Sequence, residues 1–163
     1  MFKSAARRAG IINTSTIDES HYILSVENFR FSLPVHIRFS DLDAFGIVNN
    51  AVYFTYMEEA RTEYLIRLNL IESFAVDPGF IIAEATCQFK IPIRFEQSIV
   101  VKARVEHIGT SSFRMVYQLE DQATSQIAAT GRTINVAYDY STLRSRPLPD
   151  HWRAAIEKFE AGQ

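Results

Sequence analysis

A chain of 163 residues with a formal charge of −2, 47% hydrophobic and 22% charged residues, fits one domain large enough to bury a core without disulfides or metal. That balance excludes an intrinsically disordered chain and offers no concentrated basic face for DNA or RNA. No apolar run approaches the roughly twenty residues that span a bilayer, so no membrane span is expected and the cytoplasm is the expected location.

Residues 1–28 are expected to be a flexible N-terminal extension. Their first acid is Asp18, after Lys3, Arg7 and Arg8, a pattern compatible with an organelle transit peptide as well as with a plain tail. From 29 to 39 the chain alternates without a break, with Phe29, Phe31, Leu33, Val35, Ile37 and Phe39 on one face, which predicts a half-buried strand. Pro34 lacks a donor for a sheet ladder and places that strand at an edge or at a bend. An Asp-rich turn follows. Tyr53, Tyr56, Met57, Ala60, Tyr64 and Leu68 then recur at spacings of three and four, predicting a helix of about five turns from Asn50. Val52, Phe54, Leu65 and Ile66 add further apolar faces, so this helix is expected to be mostly buried. Glu58 and Arg61, three apart, are expected to pair on one helix face or across a subunit boundary.

Beyond a loop around Asp77, Pro78 and Gly79, strand-like runs occupy 80–90, 98–107, 112–121 and 126–138. Connections as short as 108–111 and 122–125 cannot hold crossover helices, so these strands are expected to pair antiparallel as a meander. Trp152, Ile156 and Phe159 predict a short C-terminal helix within 151–163. The fold class is α+β, with its domain at 29–150.

The chemistry-bearing candidates sit where strand meets helix. The first N–H groups of a helix lack internal partners and carry the positive end of the peptide dipoles. A carbonyl oxygen is polarised there, and Asp43 is near enough in sequence to act on its carbon as nucleophile or on a water as general base. Asp, Asn and Gly also gather before helices simply as turn and cap residues, and Asn49 or Asn50 would cap this one. Asp41 is the rival carboxylate. Elsewhere, Cys87 reads as an ordinary strand position. His21, His36, His107 and His151 have no metal-site spacing, so neither metal nor bound cofactor is expected. Phe113 stands where a G-x-S-x-G elbow needs its second glycine, which argues against a serine hydrolase.

Arg38, Asp41, Asp43, Gly46, Val48, Asn50, Tyr53, Tyr56, Glu58, Ala60 and Arg61 together resemble the motif of hotdog-fold acyl-CoA thioesterases of the 4-hydroxybenzoyl-CoA thioesterase type. The resemblance implies a hotdog fold, a long central helix wrapped by a curved antiparallel sheet of five or six strands. It implies a homodimer or homotetramer with the site between subunits, acting on an acyl-CoA or an acyl carrier protein thioester of a fatty or aromatic acid. By position, Asp43 falls on the catalytic carboxylate and the Asn50 backbone N–H on the group that polarises the thioester carbonyl. Gly46, Val48, Tyr53, Tyr56, Glu58, Ser111 and Ser112 fall on or near substrate-binding positions, although a tyrosine stripe at helical spacing is also ordinary core. Ile47 departs from the His that many relatives carry. Arg94, Arg104, Arg114, Arg132, Arg144 and Arg146 are candidates for the coenzyme A phosphates. Two other readings stay open: a non-catalytic acyl-CoA binding module, and a hotdog dehydratase or hydratase, which would need His36 or His107 folded into the site.

Overall fold

Periods of two and of three to four divide the described residues, 29–71 and 79–162 of the computed structural model, into six strands and two α-helices. The expected extension 1–28, together with Asp77 and Pro78 of the expected loop, lies outside them. In chain order these are β1 (Phe31–Val35), α1 (Asn50–Arg67), β2 (Phe80–Phe89), β3 (Ile99–Ile108), β4 (Ser112–Asp121), β5 (Ile127–Asp139), β6 (Arg144–Ser145) and α2 (Asp150–Ala161), with one 3-10 turn at Phe39–Asp41.

The sheet runs β1-β3-β4-β5-β2 with every pairing antiparallel, and β6 adds a short ladder to β5. Register shifts in β2, β3 and β5 supply local bends. This is the hotdog layout, with α1 as the central helix against the sheet. The meander holds only for β3, β4 and β5. Instead of turning back on β3, β2 lies at the far edge beside β5. The cause is the segment 91–97, which contains Pro92 and is tied to the loop before α1 by Val48 N donating to Ile93 O at 2.8 Å. β1 fills the other edge and pairs with β3 alone, a position that tolerates Pro34.

β1 is also shorter than the alternation predicts. Ile37 is still buried, but Phe39 is 81% exposed because the 3-10 turn lifts the chain off the sheet.

Only one side of α1 is covered. Tyr53, Tyr56, Met57, Ala60, Tyr64 and Leu65 are buried against the sheet, whereas Thr55, Glu58, Glu59 and Glu63 face outward. Phe54 and Ile66 are 37% and 39% exposed, so the expectation of a mostly buried helix fails within the protomer. An apolar residue at every angle marks burial only where there is protein at every angle. α2 closes one end of the core through Trp152 and Ile156, and the Phe80, Phe113 and Trp152 rings meet with centroids 6.1 Å apart.

Gly131 on β5 sets how closely α1 approaches. A Cβ there would run into Met57 Sδ and stand 3.1 Å from Thr86 O. Gly131→Ala is expected to destabilise the protein by about 1–3 kcal/mol through overpacking, read as a lower denaturation midpoint with an unchanged slope.

Candidate active site

After β1 the chain must turn to enter α1, and two aspartates divide the work. Asp41 is 3% exposed and accepts from Arg38 N at 2.8 Å, Arg38 Nε at 3.1 Å and the Tyr56 hydroxyl at 2.9 Å. Burial pushes its carboxyl up, but the Arg38 N–H, the Arg38 guanidinium and the Tyr56 hydroxyl outweigh that and hold it below its ordinary value. Asp41 therefore fastens the turn to α1. Asp41→Ala is expected to cost about 2–3 kcal/mol by leaving the Tyr56 hydroxyl buried without an acceptor, measured by chemical denaturation at neutral pH. Because the folded value is depressed, the contribution is complete above the unfolded value of about 3.9 and is lost as pH falls through the folded one. The wild-type minus variant difference should be flat from pH 8 to 5 and shrink only in acid.

Asp43 is placed differently. Asp43 N donates to Ile47 O at 2.8 Å and Gly46 N to Asp43 O at 3.1 Å, closing a tight loop. Gly46 lies at φ 72°, and a Cβ there would meet nothing within 4 Å, so the glycine supplies backbone conformation rather than room. Asp43 Oδ1 accepts from Phe45 N at 2.8 Å and Ile47 N at 3.4 Å. No described residue donates to its Oδ2, and the side chain is only part-buried.

The Leu42–Val48 bridge returns the chain to the start of α1. Val48 is 1% exposed and anchors the loop in the core. Asn49 N donates to Asp41 O at 2.9 Å, and Asn49 Oδ1 caps the helix by accepting from Ala51 N at 2.9 Å. Asn50 is then the first helical residue. It is exposed, and among the described residues its N–H has no acceptor. One short closed loop thus presents a carboxylate oxygen and a helix-terminal N–H, both unengaged.

Tyr53 and Tyr56 lie beneath this loop at 2% and 1% exposure. The Tyr53 ring meets Phe89 edge-on at 4.9 Å, and its oxygen accepts from Ile93 N at 3.3 Å. Glu58 faces the other flank of α1, in a groove of about 580 Å³ that it shares with His36, Glu59 and Glu63. The expected Glu58–Arg61 ion pair is absent, because Arg61 turns inward and is only 8% exposed. Ser111 and Ser112 stand at the opposite end of β4 from the residues beside Tyr53. Ser112 and Leu119 stand seven steps apart along the strand, about 23 Å. The protomer does not bring those serines to Asp43. His107 lies toward that same distant end of β3, and His36 lines the outer groove.

Of the arginine candidates, Arg114 pairs with Glu106 at 2.7 Å and Arg132 with Glu84 at 2.6 Å. Arg94 is exposed and bridges through its backbone to Ile47, directly beside the Asp43 loop. Phe39 and Phe95, whose rings meet edge-on at 6.3 Å, form an exposed aromatic rim that the alternation of 29–39 conceals. Burial pushes the Cys87 thiol up to about 11, away from nucleophilic thiolate chemistry. Among the described residues no three His, Cys, Asp or Glu side chains gather as a metal-binding set, and no helix is long and apolar enough to cross a membrane.

Residues 37–156 match the thioesterase-like superfamily. A relative from Arabidopsis thaliana, the chloroplastic acyl-acyl carrier protein thioesterase ATL3, is 40% identical over 87 residues, which cover 52% of this chain and 45% of that protein. The chain thus spans less than half the length of that relative. The acyl-CoA thioesterase YbgC of Haemophilus influenzae is 28% identical over 134 residues, 80% of this chain and 96% of that one. Among solved structures, a thioesterase from Thermus thermophilus complexed with coenzyme A and Zn superposes with a TM-score of 0.73 at 31% identity, covering 81% of this chain and 95% of the other.

Proposed function

We propose that this chain, which belongs to the thioesterase-like superfamily, is an acyl-CoA thioesterase that hydrolyses a fatty or aromatic acyl-CoA to the free acid and coenzyme A at the Asp43 loop. The observation that carries the proposal is the pairing, on one closed loop, of an unengaged carboxylate oxygen with an unengaged helix-terminal N–H.

A thioester carbon is already electrophilic and a thiolate leaves readily, so a positioned carboxylate and one good donor supply enough catalysis. The thioester oxygen sits at the Asn50 N–H, where the α1 dipole adds to the polarisation as negative charge develops. Asp43 Oδ2 then attacks the carbonyl carbon and the C–S bond breaks, releasing the coenzyme A thiolate and leaving an anhydride that water cleaves; alternatively it removes a proton from a water that attacks the carbonyl carbon and expels the same thiolate. A single turnover in ¹⁸O-labelled water that leaves label in the Asp43 carboxylate identifies the nucleophilic route, with water cleaving the anhydride at the Asp43 carbon. Gly46 and Val48 hold the loop in shape, and Tyr53 and Tyr56 form the wall behind it.

The site is completed by a second copy in a homodimer or homotetramer. What supports this is the separation of Ser111 and Ser112 from Asp43 within one protomer, which a neighbouring subunit would remove. Glu58, on the outward flank of α1, approaches substrate only in such an assembly. An acyl carrier protein thioester enters the same site if only its pantetheine arm is needed. The cytoplasm is the proposed location.

Thiol release from a panel of short, long and aromatic acyl-CoAs, and from the matching acyl carrier protein thioesters, tests the reading. Turnover of at least one class is expected, by a protein that sediments as a dimer or larger. Tight binding of acyl-CoA without thiol release would replace the reading with a non-catalytic binding module.

A further inference from the structure

Among the described residues, the core contains a cation without a counter-ion. Arg61 is 8% exposed, and no carboxylate of the described residues pairs with it. Its guanidinium is directed to the Tyr117 hydroxyl, which shares a 2.8 Å hydrogen bond with Thr133 Oγ1. Thr133 Oγ1 accepts from Asn135 Nδ2 at 3.2 Å, and the same amide nitrogen donates to Phe113 O at 3.2 Å. Asn135 is wholly buried, yet its Oδ1 has no partner. Arginine stays charged at any pH at which the chain is folded, so its burial favours a nearby oxygen acceptor. A buried amide oxygen without a donor equally lacks a partner. One connected polar chain therefore carries a cation without a carboxylate partner at one end and an unmatched acceptor at the other.

Its position gives this a use. Across the β5–β2 ladder Thr133 opposes Ala85 and Asn135 opposes Ile82, and directly opposed residues share a face of the sheet. On that face β2 is left open, with Ile82 38% exposed, Ala85 exposed and Cys87 part-buried. Met57 of α1 packs on Gly131 of β5, the residue that Cys87 opposes on β2. An apolar strip of Phe89, Cys87, Ala85 and Ile82 thus runs along β2, from the ring contact of Phe89 with Tyr53 to the level of Thr133 and Asn135.

We infer, on the thioester hydrolase reading above, that the preferred acyl group carries an oxygen at its far end, a carboxylate or hydroxyl that Arg61 receives. Asn50 and Arg61 are eleven residues apart on one helix, about 16 Å along its axis, and the arginine side chain leans back toward the helix N-terminus. The guanidinium therefore lies on the order of 10–14 Å from the Asn50 N–H, which an extended chain of roughly ten carbons spans.

The test compares kcat/KM of the full chain for decanoyl-CoA, 10-hydroxydecanoyl-CoA and the mono-CoA thioester of decanedioic acid. Both oxygen-bearing substrates are expected to be favoured over decanoyl-CoA by about tenfold or more, and Arg61→Met should bring the decanedioyl to decanoyl ratio to about one. The ratio is internal to each protein, so a general loss of folded enzyme cancels from it. Wild type that cleaves decanoyl-CoA as fast as the other two overturns the inference, whether or not Arg61→Met folds. Failure to cleave any thioester of the wider panel is a different result, which removes the hydrolase reading and this inference with it.

Discussion

Asp43→Asn is expected to lower kcat/KM for the preferred acyl-CoA by about a hundredfold to ten-thousandfold while leaving the fold and assembly unchanged. The substitution is close to a pure charge deletion. Asp43 Oδ1 accepts from Phe45 N and Ile47 N, and an asparagine keeps that acceptor in place, so the loop retains both bonds. What changes is Oδ2, which becomes an amide NH2 that can neither attack a carbonyl carbon nor accept a proton from water. Asp41→Ala should behave in the opposite way, losing stability first and activity only as a consequence, because its carboxylate is occupied by Arg38 and Tyr56. Kinetics beside a denaturation curve for each variant separates the two aspartates. A fully active Asp43→Asn would assign the chemistry to another group.

Much of this architecture was legible in the chain because it is local. The alternation of Phe113, Met115, Tyr117 and Leu119, and the recurrence of Tyr53, Tyr56, Met57, Ala60 and Tyr64, each report which side of one element meets the core. Strand order is not local. The run 91–97 is short, which suggests a simple return from β2 to β3, yet it leads to the opposite side of the sheet because Ile93 is bound to Val48 before α1. The end of β1 misled for a similar reason. Phe39 continues the apolar alternation, but Asp41 captures the Arg38 N–H and turns the chain away.

At the site, residue types were visible and their commitments were not. Asp41 and Asp43 are alike in residue type and told apart in sequence only by the family motif, and the Tyr56 hydroxyl and the Arg38 contacts are what distinguish a buried fastening from an open carboxylate. Which of Asn49 and Asn50 caps the helix is likewise open until Asn49 Oδ1 takes Ala51 N and leaves Asn50 as the first helical residue. Arg61 carried a signal that the spacing to Glu58 obscured. It stands four residues beyond Met57 and next to Ala60, on the same stripe as the buried tyrosines, and that position places it inside.

Asn50→Pro isolates the oxyanion donor, the second group on which the proposed chemistry depends. Proline lacks the backbone N–H, and the first position of a helix is where that loss does least harm to stability. The preceding residue suits it, since Asn49 at φ −60° and ψ 137° already has the extended conformation that a residue before proline prefers. The helix should therefore form, capped as before by Asn49. The donor aimed at the developing negative charge is gone, and kcat is expected to fall roughly a hundredfold to a thousandfold, about 3–4 kcal/mol of transition-state stabilisation. Asn50→Ala keeps the N–H and removes only the side chain, so it should stay within about threefold of wild type. The most direct test of this chemistry is kcat/KM for one acyl-CoA measured on wild type, Asn50→Ala and Asn50→Pro at matched fold and assembly. Wild type and Asn50→Ala are expected to agree, with the proline variant nearly inactive. Equal activity in all three would contradict the mechanism, because the thioester carbonyl would then not be polarised at the start of α1.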